Sequence, residues 1–124
     1  MKRIVLLALI LSLAVLFGCS SAEVKAVRSM PINHVNLGQV KDGEYMGDFA
    51  YGGFAYEVAV TVASHQIKDI KILKNRTTKH AKMAEGVVKS ILDQQKNDVD
   101  AISGATTTSK ALLKAVESAL EKGL

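Results

Sequence analysis

Phe54-Ala55-Tyr56-Glu57-Val58-Ala59-Val60-Thr61-Val62 alternates without a break. Phe54, Tyr56, Val58, Val60 and Val62 share one face of an extended chain, and Ala55, Glu57, Ala59 and Thr61 share the other. Aromatic and β-branched side chains at period two suit a pleated, half-buried surface. Just upstream, Gly52-Gly53 supplies the positive φ angles of a tight hairpin. Before it, Glu44 to Tyr51 alternates aromatic and polar residues, opened by the turn signal Lys41-Asp42-Gly43-Glu44. Downstream, Ala63-Ser64-His65-Gln66 reads as the next turn, and Ile67 to Lys74 as a third strand with Ile70 and Ile72 on one face. Three antiparallel strands joined by short turns form a meander that leaves one apolar face to be covered.

Two helices supply the cover. After Lys74-Asn75-Arg76-Thr77-Thr78-Lys79-His80, residues Ala84, Val87, Val88, Ile91 and Leu92 recur at helical spacing to about Gln95. Leu112, Ala115, Val116, Ala119 and Leu120 repeat the pattern between Thr108 and about Lys122, and Gly123 is the stop. The expected fold class is α+β: a small antiparallel β-sheet meander with two helices packed on one face, preceded by a signal peptide and tether.

The N-terminus has a different texture. Met1-Lys2-Arg3 is followed by an apolar run from Ile4 to Phe17. The run is shorter than the ~20 residues of a membrane-spanning helix and has the charged-then-apolar layout of an export signal. It ends in Leu16-Phe17-Gly18-Cys19-Ser20-Ser21, with the chain's single cysteine directly after a small residue. This resembles a bacterial lipoprotein signal, in which the cysteine thiol takes a diacylglycerol and becomes the new N-terminus. The resemblance implies a signal peptide over 1–18 and a lipidated N-terminus and tether over 19–40. It places the body in the bacterial cell envelope, extracytoplasmic and lipid-anchored to a membrane through Cys19. Residues 20 to about 40 have weak periodicity and the lone proline, Pro31, and read as a tether docked by Ile32, Val35 and Leu37.

Charge and composition narrow the function classes. The formal net charge is +4 over 124 residues, and Lys2 and Arg3 belong to the signal. The mild remainder, without interleaved aromatics, does not suit nucleic acid. There is no dinucleotide fingerprint and no cysteine–histidine metal cluster, which argues against an independent dehydrogenase.

The chemistry is concentrated in Asp98-Val99-Asp100-Ala101-Ile102-Ser103-Gly104-Ala105-Thr106-Thr107-Thr108-Ser109, which packs five hydroxyls beside small residues just before the closing helix. Ser103-Gly104-Ala105-Thr106 lets a ligand approach the backbone, and a helix start offers unpaired N–H groups to an anion. A single hydroxyl there is an ordinary N-cap; capping alone does not call for five. The segment is not a Walker loop, which needs a second glycine and a Gly-Lys-Ser/Thr ending.

Asp100-Ala101-Ile102-Ser103-Gly104-Ala105-Thr106-Thr107-Thr108 resembles the Asp-x-x-Ser/Thr-Gly-Ala-Thr/Ser-x-Thr flavinylation motif of the FMN-binding domain family. Asp42-Gly43-Glu44-Tyr45-Met46-Gly47 is similar to the Asp-Gly-x-Tyr-x-Gly opening of its small members. The resemblance makes 41–124 the FMN-binding domain. It implies FMN as cofactor, joined by a phosphoester to Thr108, with Thr107, Thr106, Ala105, Gly104, Ser103 and Asp100 around it. It also implies maturation by a flavin transferase that uses FAD and Mg²⁺. Many members carry a His-x-Glu-Thr-like segment after the third strand; here the chain has Asn75-Arg76-Thr77-Thr78-Lys79-His80, so no ring contacts are carried over.

Other residues have two readings each. Asp100 positions the loop for the transferase or simply caps an Asx turn. His80 contacts phosphate or ring, or is a surface histidine. Tyr45, Tyr51, Phe54 and Tyr56 stack on flavin, or pack the core and hairpin. Lys74, Arg76, Lys79 and Lys82 face anionic lipid or a redox partner, or are solvated. Together these features suggest a membrane-anchored carrier that relays electrons between a membrane donor and an extracytoplasmic acceptor more than an independent enzyme, a question the sequence leaves open. The alternatives are a small flavin-dependent reductase acting on a soluble acceptor, and a non-redox ligand-binding lipoprotein.

Overall fold

The central strand of the sheet is the one with the clean alternation. The computed structural model describes residues 22–124; the signal peptide over 1–18 and Cys19 lie outside the described residues. Strands β1 (Gly43–Tyr51), β2 (Phe54–Ala63) and β3 (Gln66–Lys74) form one antiparallel sheet in that order. Tyr56, Val58, Val60 and Val62 are buried on the core face of β2. Both hairpins turn through pairs of positive φ: Gly52 and Gly53 in the first, Ser64 and His65 in the second. The second pair carries Cβ atoms, and the Ser64 N–H is held by the Asp42 carboxylate at 3.0 Å.

Register shifts in β3 explain why its alternation is imperfect. Val62 pairs with Ile67 but Thr61 with Asp69, so Lys68 is an extra residue; Leu73 is extra in the same way between Ile72 and Lys74. A bulge re-aims the side chains after it. Here it brings Ile67 onto the buried face with Ile70, while Leu73 is left exposed.

One face of the sheet is covered, as the α+β reading expects, but the helices are divided differently. Residues 22–29 form a helix, α1, inside the stretch that reads as a tether. The first predicted cover helix is two, α2 (Lys79–Ala84) and α3 (Gly86–Gln94). At the junction, Glu85 N–H bonds to Lys82 O and Val88 N–H to Glu85 O, so i→i−3 bonds tighten the turn. Gly86 permits a close neighbour there: a Cβ would stand 3.2 Å from Ile102 Cδ1.

The long closing helix, α4 (Thr106–Glu121), lies across β1 and β2. Ala111, Leu112, Ala115, Val116, Ala119 and Leu120 are buried in one cluster with the valines of β2. Each large apolar side chain there contributes about 1.5–3 kcal/mol relative to exposure. Gly47 of β1 lies directly under the helix, closer than any Cβ would allow: one built there would stand 2.0 Å from Ala115 O.

The N-terminal segment is strapped onto this frame. The buried Asn97 side chain accepts from Val35 N–H at 2.8 Å and donates to Asn33 O at 2.7 Å. Glu117, also buried, accepts from Asn33 N–H at 2.9 Å and pairs with Lys114. Val27, Val35 and Val40 are buried, with Ile32 and Leu37 packed against the core.

At the strap's surface, His34 Nδ1 lies 3.0 Å from Asp98 Oδ1. The His34 hydrogen bond holds the Asp98 carboxyl below its ordinary range, against partial desolvation. A carboxyl lowered by folding stabilises the fold above its unfolded value of about 3.9, and that contribution is lost as pH falls through the folded value. His34→Ala therefore shifts the Asp98 titration midpoint upward in an NMR pH series. Because the pair is largely exposed, the effect on stability is small, about 1 kcal/mol or less.

Candidate functional site

Ile102 to Ala105 form a turn closed by Ala105 N–H to Ile102 O at 3.0 Å, with Gly104 at φ +81. That is the third position of the turn, where type II geometry needs positive φ and favours glycine. Directly after it α4 begins, two residues earlier than the apolar spacing indicates. The buried Ser109 hydroxyl accepts from Ile102 N–H at 3.1 Å, tying the turn to the helix. The first bond within the α4 ladder is Ser109 N–H to Ala105 O. The amides of Thr106, Thr107 and Thr108 precede that ladder, and no side chain caps the helix start. Three backbone donors and the positive end of a 16-residue helix are thus available to an anion.

They face a cavity of about 360 Å³ whose wall includes Gly104, Ala105, Thr106, Thr107 and Thr108. Tyr51 forms one side, Arg76 and His80 another, and Val24 and Arg28 of α1 a third. Ser103 and Asp100, although within the motif, are exposed and are not part of this wall. The tight turn at Ser103-Gly104 leaves that hydroxyl outside.

Thr108 is 6% exposed. Its side chain lies beside the phenol of Tyr56, which is fully buried. Burial and the neighbouring Tyr51 hydroxyl push the Tyr56 phenol well above its ordinary range, opposed in part by the Thr108 hydroxyl and the Arg76 charge. Tyr56 is therefore a neutral partner beside Thr108 across the physiological range. Its ring stacks on Tyr51, with centroids 5.8 Å apart and planes at 9°. Tyr51 is the one tyrosine on the cavity wall; Tyr56 belongs to the core, and Tyr45 bonds Lys41 O at 2.6 Å.

The loop that carries Arg76 is itself braced. Asn75 Oδ1 accepts from Arg76 N–H at 2.8 Å and its Nδ2 donates to Ala81 O at 3.0 Å, while Thr78 caps α2 through Ala81 N–H. The Arg76 guanidinium lies 3.9 Å from the centroid of Phe54, a cation–π contact that orients it. Among the described residues, no carboxylate forms an ion pair with Arg28 or Arg76. Two guanidinium groups without an ion pair and an imidazole therefore line the cavity at the open start of α4.

Residues 51–121 match the family model described as FMN-binding domain. The chain belongs to the FMN-binding domain family. Among curated proteins, none matches it. The residues fit the cofactor of an FMN-binding domain on their own chemistry. Uncapped amides and cations suit a phosphate, Tyr51 offers an aromatic edge, and the volume lies within the about 300–1,000 Å³ of small-molecule sites. Arg28 and Val24 had no signal in the sequence, because they precede the matched residues and the motif gives no hint of a wall supplied from the tether.

Proposed function

We propose that this FMN-binding domain protein is a lipid-anchored, extracytoplasmic electron carrier with FMN joined by a phosphoester to Thr108. The observation that carries the proposal is the coincidence, on one cavity wall, of the Thr108 side chain with the uncapped start of α4 and unpaired arginines. In maturation by a flavin transferase using FAD and Mg²⁺, Thr108 Oγ1 forms an ester bond to the FMN phosphorus. The phosphoanhydride bond of FAD breaks, AMP leaves, and the hydroxyl proton is released.

Bound FMN supplies reversible one- and two-electron chemistry; the chain's own residues determine where that chemistry occurs. The amides of Thr106 to Thr108 and the Arg76 charge hold the phosphate end. Ser109 fixes the turn, and Gly104 leaves the backbone accessible. Tyr51 limits water on one side. Attachment suits an extracytoplasmic setting, where a dissociated flavin would diffuse away with no pool to replace it. The lipoprotein-like Gly18-Cys19 junction supports the anchor. Among the described residues, no helix is long and apolar enough to cross a membrane.

The test is intact mass and in-gel flavin fluorescence of the chain co-produced with a flavin transferase. A mass increase carried by Thr108 supports the reading, and an unmodified mass overturns it. For the anchor, Cys19→Ser is expected to move the protein from the membrane fraction to the soluble fraction. Retention in the membrane would mean that something other than a lipid on Cys19 holds it.

A further inference from the structure

Residues 22–29 precede the family match, yet they form a wall of the flavin cavity. Val24 and Arg28 are one helical turn apart and both line it, while Val27, between them in sequence, is buried at 3% exposure. Residues three and four apart share a helix face, so α1 presents one side to the domain and sets Arg28 on the cavity wall that the start of α4 also lines. Its seating does not depend on Val27 alone. The strap at 33–35 is fixed by the buried side chains of Asn97 and Glu117. Arg28 is exposed at the cavity mouth and has no carboxylate partner among the described residues; what sets it apart is that so constrained a segment holds it on the cavity wall.

We infer that Arg28 is a cofactor-binding residue, and that α1 closes the cavity so that its guanidinium takes the phosphate of a flavin mononucleotide. The inference rests on the assignment of this cavity to FMN, but not on the ester to Thr108. Arg76 and His80 approach from the β3–α2 side; Arg28 approaches from the N-terminal segment, so the anion is held from two directions. A guanidinium offers forked donors that match phosphate oxygens, which an ammonium does not. The ligand selected is then the phosphorylated flavin over riboflavin.

The full chain, purified without a transferase, is titrated with FMN and with riboflavin by flavin fluorescence. The wild type is expected to prefer FMN. Arg28→Gln is expected to weaken FMN binding about tenfold, as for one charge-assisted hydrogen bond, and to leave riboflavin unchanged within about twofold. Arg28→Lys should recover part of the preference. Lys25→Gln removes a charge from the same helix away from the cavity and should have no effect.

An equal loss for both flavins in Arg28→Gln would make α1 a mere wall and overturn the inference. Unchanged FMN affinity, or a wild type that does not prefer FMN, would do the same. The outcome is separable from the covalent reading. If the adduct forms on Thr108 while Arg28→Gln keeps its preference, the Arg28 inference alone fails. If no adduct forms but the preference depends on Arg28, the ester alone fails.

Discussion

Thr108→Val, co-produced with a flavin transferase, is expected to emerge at the unmodified mass and without flavin fluorescence. Valine reproduces the shape of threonine, so the loss is one oxygen atom and not a cavity. The cost to folding is small, about 1 kcal/mol or less, because Tyr56 keeps the Tyr51 hydroxyl at 3.3 Å as its hydrogen-bond partner. The variant should therefore fold, with a circular dichroism spectrum like the wild type, and fail only in attachment. Thr108→Ser keeps the oxygen and should retain an adduct. Thr106→Val, one position into α4, should still be modified at Thr108. Loss of the adduct in Thr106→Val alone would transfer the assignment to Thr106.

Gly47→Ala is expected to be the most damaging single methyl group in the domain. Its Cβ would stand 2.0 Å from Ala115 O, 2.6 Å from Ala119 N and 2.7 Å from Ala119 Cβ. Two of these are backbone atoms of α4, which cannot swing aside as a flexible side chain would. The helix must lift from β1 and open the packing of Leu112, Ala115, Val116 and Ala119. Overpacking typically costs about 1–3 kcal/mol, and a clash with rigid backbone belongs at or beyond the upper end. Against a total stability of about 5–15 kcal/mol, that predicts a fall in Tm of at least about 10 °C, since each kcal/mol is worth about 4–8 °C in a domain of this size. Thermal unfolding followed by circular dichroism checks it. Gly53→Ala is the contrasting control: nothing lies within 4 Å of the added methyl, and the cost is limited to its φ of +81.

The sheet was legible because its central strand carries a two-residue period of large apolar side chains through Val62. Ile67 was not, since a bulge at Lys68 changes the phase and the phase is set by pairing with β2. The division of α2 from α3 left no mark in the apolar spacing, because Glu85 remains in the right-handed helical region, at φ −61 and ψ −14. Helix α1 was not legible because its apolar residues are two valines and two alanines, of which only Val27 is buried, and they trace no clear stripe.

The motif located the start of α4 and its hydroxyls, but spacing cannot say which hydroxyls face inward. Ser103 and Asp100 face solvent, whereas Ser109, fourth in a run of hydroxyl residues, is the one that pins the turn. Of the cavity's cations, the sequence offered His80 as a phosphate or ring contact and Arg76 only as a charge for lipid or a partner, and it gave no sign of Arg28. Arg28 and Arg76 are far apart along the chain, and meet only because the strap returns the N-terminal segment to the α4 end of the sheet.

That strap also imposes an order in time. The Asn33 amide reaches Glu117 across 84 positions, and Val35 reaches Asn97 across 62. Closing loops of that length costs entropy that is recovered only when both ends are present and packed. A ribosome makes α1 before any strand and α4 after all of them. The cavity wall that bears Arg28 is thus assembled from the earliest and latest parts of the described chain, and a half-made domain has no site in which to hold a flavin. On the proposed function, flavin loading would therefore follow folding of the whole domain, and bound cofactor would report that both ends of the described chain have come together.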